Sequence, residues 1–188
     1  MNRTARWLSI AAHPFVMVGV LVGTAAGEWQ ERGDALRSVA VVVVFTIAPL
    51  IVLMIRQVRR GAWENADASN PRNRPILFLV GGVALVSLLA YLMFLRPAPF
   101  MVRGVAATLA MVGVCATATR WIKVSLHMAF AALAATALAL MGTAVGYMLV
   151  LVLPALAWSR LALGRHTRPE IAAGALIGGA AGAAIYLL

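Results

Sequence analysis

The sequence predicts an all-α membrane helix bundle of six to seven transmembrane helices, built as one integral membrane domain over residues 1–188. Three observations predict it. The 188-residue chain is 63% hydrophobic and only 12% charged, outside the range of water-soluble domains. Uncharged runs recur at 8–27, 38–55, 76–95, 104–119, 124–159 and 171–188, and a spanning helix needs about 20 mostly apolar residues. Trp7, Trp29, Trp121 and Trp158 stand at or just beyond the ends of these runs, where amphipathic rings anchor at the headgroup level.

The first run follows the basic flank "MNRTARW". Its apolar stretch of about 20 residues exceeds the 7–15 of a signal peptide, and no clear A-x-A site follows, so it reads as a retained first helix. The second and third runs bracket a polar loop at 56–75. The fourth crossing starts near Pro99 and carries Arg103 close enough to its end for the side chain to reach the interface. Run 124–159 is too long for one crossing and divides at "GTAVG", Gly142 to Gly146, where a tight turn fits. In the last run Gly174, Gly178 and Gly182 recur every four residues, a smooth stripe against which another helix can press. The single cysteine, Cys115, lies inside the fourth span, reads as a small apolar residue and rules out an intrachain disulfide.

The formal charge of +10 does not point to nucleic acid, because the basic residues sit in short loops with no soluble domain to carry a binding surface. Topology and anionic lipid account for most of them. If the crossings alternate, Arg3, Arg6, Arg56, Arg59, Arg60, Arg72, Arg74, Arg120, Lys123, Arg160, Arg165 and Arg168 share one side, leaving Arg32, Arg37, Arg96 and Arg103 opposite. The positive-inside rule makes the richer side cytoplasmic, in an inner, plasma-type membrane.

Three loops on that side hold nearly all the polar chemistry: "DASNPRNRPILF" from Asp67, "RWIKVSLHMAF" from Arg120 and "SRLALGRHTRPE" from Ser159. In the third, Arg160 offers a planar fork of donors suited to phosphate oxygens, and His166 is a candidate nucleophile or proton carrier. The next helix is expected to begin at Thr167 with Pro169 in its first turn, aiming free amides at an anion in the loop. "TRPE" is also a capping box, which gives Glu170 a structural role, a site role or both. Arg165 and Arg168 read as interfacial lipid contacts. In the second loop, the Ser125 hydroxyl can donate to an oxyanion and His127 can protonate a leaving oxygen, with Lys123 close by. His13, beside Pro14 in the first span, reads as a structural histidine. In the first loop Arg72, Arg74 and Pro75 immediately precede a span; arginines there are usually topology signals, and their value lies in sharing a side with the other loops.

On these residues the chain resembles the type 2 phosphatidic acid phosphatase family. The family's last motif, S-R-x5-H-x3-D, is similar to Ser159, Arg160, His166 and Glu170, with Glu in place of Asp. Its middle motif, P-S-G-H, is matched by Ser125 and His127, with Val124 and Leu126 at the other two places. Its first motif, K-x6-R-P, is matched by Arg74 and Pro75, with Asp67 at the lysine position. Lys123 is a candidate for the missing charge. The motif segments are thus 67–75, 123–127 and 159–170.

The resemblance implies a phosphatase acting on a lipid phosphate or polyprenyl (pyro)phosphate without metal or other cofactor. His166 would form a phosphohistidine, Glu170 would orient it, and His127 would protonate the leaving alcohol. Ser125, Arg160, Lys123 and Arg74 would hold the phosphoryl oxygens. One alternative is a non-catalytic relative that binds anionic lipid headgroups. Another is a magnesium-dependent polyprenyl transferase using Asp67 of "NADASN" and the preceding Glu64. A small transporter fits less well, because polar residues gather at one face and intramembrane charges are almost absent.

Overall fold

The computed structural model describes residues 2–63, 71–95 and 99–187. Among the described residues the fold has eight α-helical segments: α1 Arg3–Ala11, α2 Pro14–Trp29, α3 Arg32–Arg59, α4 Arg74–Leu95, α5 Pro99–Ala118, α6 Leu126–Leu140, α7 Ala144–Ala162 and α8 Arg168–Leu187. The described residues contain no strand. Helices α3, α4, α5, α7 and α8 are long and apolar enough to cross a membrane, and α1 with α2 adds a sixth candidate if the bent pair is one span. The chain is an integral membrane protein of all-α architecture.

Helix α6 forms the centre. Ten of its 15 residues are buried, which explains why it is built almost wholly from alanine and leucine with no charge. At about 22 Å it is shorter than a hydrocarbon core of about 30 Å, and α2, α7 and α8 enclose it. Helix α5 packs on α4 and α8, while α3 packs on α2 and α4.

The glycine stripe of α8 is the tightest seam. A Cβ at Gly178 would overlap the Ala129 carbonyl, and one at Gly182 would lie 2.5 Å from the Leu133 carbonyl oxygen. One at Gly174 would lie 2.6 Å from the Ser125 carbonyl oxygen. Backbone therefore meets backbone along the α6–α8 contact, as small residues at membrane helix interfaces allow. Between α6 and α7, Gly142 takes φ +77° in the turn, a conformation that suits glycine.

Two expectations are corrected. The first run, read as one helix over 8–27, is broken: α1 and α2 meet at 45° across Ala12 and His13. Pro14 has no N–H to continue α1 but fits the first position of α2, and His13 is extended and caps that helix through Nδ1. The second crossing runs well beyond 38–55 at both ends, because the exposed Asp34–Arg37 pair sits in its first turns. Within α3 the segment Val43–Ile47 is a π-helix. Pro49 explains it, since a proline inside a helix removes one donor and crowds the carbonyl four residues back. Trp7, Trp29, Trp121 and Trp158 are exposed on the protein surface, as the anchoring role requires.

Candidate functional site

The described parts of the three motif segments, with Arg74 standing for the first, lie at one end of the bundle and are tied together by hydrogen bonds. Arg74, first residue of α4, donates from Nη1 to the Val124 carbonyl at 2.8 Å. Lys123 donates from Nζ to the Arg165 carbonyl at 2.8 Å. The Ser125 amide donates to the Glu170 carbonyl at 3.1 Å. The mouth of α6 is thereby fixed beside the first turn of α8, with Arg74 reaching in from α4.

The turn from α7 to α8 passes through Gly164 at φ +62°, which lets the chain reverse and present His166. Helix α8 runs from Arg168, with Thr167 at the cap position and Pro169 in the first turn, as the sequence suggested. Glu170 Oε2 lies 2.9 Å from His166 Nδ1 and accepts from the Thr167 amide at 3.2 Å. The same oxygen thus makes the return arm of the capping box and holds the imidazole of His166. With Nδ1 pinned, Nε2 is the nitrogen left for chemistry.

The His166 side chain is only 4% exposed. Burial pushes its pKa from 6.5 down to about 4, against the opposing pull of the Glu170 hydrogen bond; Arg160, Lys123 and Arg74 add to the depression. His166 is therefore neutral at physiological pH, the form with a free lone pair. The Lys123 pKa is also lowered, first by burial, with Glu170 acting in the opposite sense and Arg74, Arg160 and Arg165 reinforcing the drop. Arg74, Lys123 and Arg160 act on His166 from three different elements, and it is their positive charge that would favour an incoming anion.

Arg160, Ser159 and Ser125 are buried. Arg160 donates from Nη1 to the Ser9 hydroxyl at 2.5 Å, and the Ser159 hydroxyl donates to the Ala5 carbonyl at 2.6 Å. Helix α1 is thus strapped across the end of α7. Neither Ser9 nor Ala5 carried a signal in the sequence, because each contact spans about 150 positions.

Two polar atoms stand out. Ser125 Oγ and Arg74 Nε are buried and make no hydrogen bond within the protein. Ser125 is also the cap residue of α6, yet its side chain does not bond the helix amides. The first turn of α6 is therefore not capped by the Ser125 hydroxyl. A buried donor without a partner costs about 1–3 kcal/mol, and a bound anion would remove that cost here.

His127 is buried one position into α6, and its ring meets the ring of His13 edge-on at a centroid distance of 5.2 Å. His13 does cap a helix, as its structural reading implied, but it also brings a third imidazole to this end. Its partner lies on a distant helix, which is why the sequence did not reveal it; the His-Pro pair was the available sign of a helix start. Leu126 and His127 both line an apolar cavity.

The structure brings together His166, Glu170, Arg160, Lys123, Arg74 and Ser125, with His127 the second residue of α6 at the same end. Asp67 and Glu64 lie outside the described residues. Among the described residues no three His, Cys, Asp or Glu side chains form a group able to hold a metal ion. Comparison of the chain with protein-family models, curated proteins and solved structures finds no match.

Proposed function

We propose that the chain is a membrane phosphatase that hydrolyses a lipid phosphate or polyprenyl (pyro)phosphate, in the manner of the type 2 phosphatidic acid phosphatases it resembles. The observation that carries this reading is the pair of partnerless buried donors, Ser125 Oγ and Arg74 Nε, at the end where Glu170 pins a neutral His166.

In the reaction, His166 Nε2 attacks phosphorus as the bond to the alcohol oxygen breaks, and His127 in its protonated form gives that oxygen a proton. Water then attacks the phosphohistidine, His127 takes the proton back and inorganic phosphate leaves. Ser125, Arg160, Lys123 and Arg74 stabilise charge on the phosphoryl oxygens. Glu170 holds the ring and stabilises the positive charge that develops on it. The bundle is multi-pass with the site facing the cytoplasm, as the loop arginines support.

The test is release of inorganic phosphate from a panel of lipid phosphates by the purified protein. Release that falls to background in His166→Ala and His127→Ala is expected; unchanged release in both variants removes the enzyme. The second reading, a non-catalytic binder of anionic headgroups, draws on Val124 and Leu126 at the family's proline and glycine places. It predicts saturable lipid binding with no phosphate release.

A further inference from the structure

Behind His127 an apolar cavity of about 180 Å³ lies between α2, α3, α4, α5 and α6. At one end it is bounded by His13, Leu126 and His127, and at the other by Trp29, Phe100 and Met101. Trp29 and Phe100 meet edge-on at 5.2 Å and close that far end. The cavity therefore follows the length of α2, whose 16 residues span about 24 Å.

We propose that this cavity binds one hydrocarbon chain, an acyl or prenyl tail whose phosphate is held at the His13–His127 end. It rests on the phosphatase reading for the headgroup and adds the site of the tail. The occupant's chemistry follows from the lining. Thr46 and Thr108 are its two hydroxyls, and each is spent within its own helix, on the Val42 carbonyl at 2.6 Å and the Gly104 carbonyl at 2.7 Å. No Asp, Glu, Lys or Arg side chain lines it. An apolar cavity of about 150 Å³ stays dry and takes up apolar ligands rather than water. Polarity is confined to the two imidazoles at one end, where cations gather, so the cavity and the site together complement an amphiphile with an anionic head.

Shape supports the same occupant. The π-helical turn beside Pro49 contributes Thr46 and Ile47 to the cavity wall, and such turns recur at functional sites. A second cleft, lined by Ile51, Ile55, Val58 and Arg59, shares His13, Phe15 and Met54 with the cavity. It lies between α2 and α3 at the His13 end, which lets a lipid slide in sideways from the bilayer while Arg59 meets its phosphate. Gly81 and Gly104 line the cavity, and a side chain added at either would meet open space or ordinary contact at 3.9 Å. They keep the channel wide without being required for packing.

The test uses hexadecyl phosphate carrying a photoactivatable diazirine at mid-chain, with the protein in nanodiscs and adducts mapped by mass spectrometry. Adducts on Leu50, Leu85 and Thr108 are expected, competed by unlabelled hexadecyl phosphate. A polyprenyl phosphate competitor then distinguishes the two tail types by which displaces the label at lower concentration. Gly104→Phe and Gly81→Leu should abolish these adducts. They should also lower kcat/KM for hexadecyl phosphate about tenfold or more while leaving that for propyl phosphate unchanged. Adducts confined to outward-facing residues such as Leu79, Leu151 and Leu176 would overturn the proposal, as would an equal loss for both substrates. Labelling needs no turnover, so cavity adducts without phosphate release would remove the phosphatase and keep the tail site. Phosphate release with an unlabelled cavity would do the reverse.

Discussion

A single carboxylate oxygen on Glu170 serves both the imidazole of His166 and the start of α8, and the two duties can be separated. Glutamine at 170 can still accept from the Thr167 amide, as the capping box permits, but it lacks the charge that stabilises a developing imidazolium. Glu170→Gln should therefore leave thermal stability nearly unchanged while lowering kcat about a hundredfold or more; an equal loss of stability and activity would return Glu170 to a purely structural role. The pH profile is a second check. The His166 pKa is depressed to about 4 in the folded protein, so its neutral imidazole persists well below pH 6.5 and, with His166 as the proposed nucleophile, the acid limb of kcat/KM set by this group should fall near pH 4. The sign for stability is the same: between pH 4 and 6.5 the unfolded chain binds a proton that the folded chain refuses, so stability rises with pH across that window and is lost as pH falls through it. Because Lys123 contributes to the depression, Lys123→Met should shift the limb upward. Removing the hydroxyl in Ser125→Ala should slow turnover about 10² to 10³-fold if it donates to the phosphoryl group, a loss of about 2.7–4 kcal/mol of barrier stabilisation.

At the scale of elements, the α6–α8 seam sets the position of the site. Ser125 begins α6, Glu170 lies in the first turn of α8, and Gly174, Gly178 and Gly182 hold the two helices at backbone contact. Gly178→Leu would force the Ala129 backbone away, so we expect a lower unfolding temperature together with loss of activity; normal values of both would show that the seam tolerates bulk. This seam was legible in the sequence because a glycine every fourth residue marks one face of a helix. So was the turn at Gly142, where two apolar helices had to part. The break at His13 was less legible. Hydropathy runs unbroken through it, and only Pro14 signals that the backbone must change direction. The π-helical turn in α3 was not legible at all: a proline in an apolar run announces a distortion without saying which kind.

For the whole molecule, helix class and the polarity of its ends followed from composition, since a chain so apolar has few places to put charge. The gathering of Arg74, Lys123, Ser125 and His166 at one end followed from alternating crossings. Ser9 and His13 did not, because their partners Arg160 and His127 are brought near only by the packing of α1 on α7 and of α2 on α6. The cavity between five helices was equally hidden, as no residue in it is unusual by type. Sidedness has its own check: a cysteine placed at Ala62 should resist a membrane-impermeant thiol reagent in intact cells and react after lysis, and labelling of intact cells would reverse the orientation. The central claim is that His166 takes the phosphoryl group from a lipid. Rapid quenching of purified protein mixed with a lipid phosphate, followed by mass spectrometry at neutral to alkaline pH, tests it most directly. Phosphate on His166, absent from the His166→Ala protein, is the predicted result; release of inorganic phosphate with no modified histidine at 166 would contradict it.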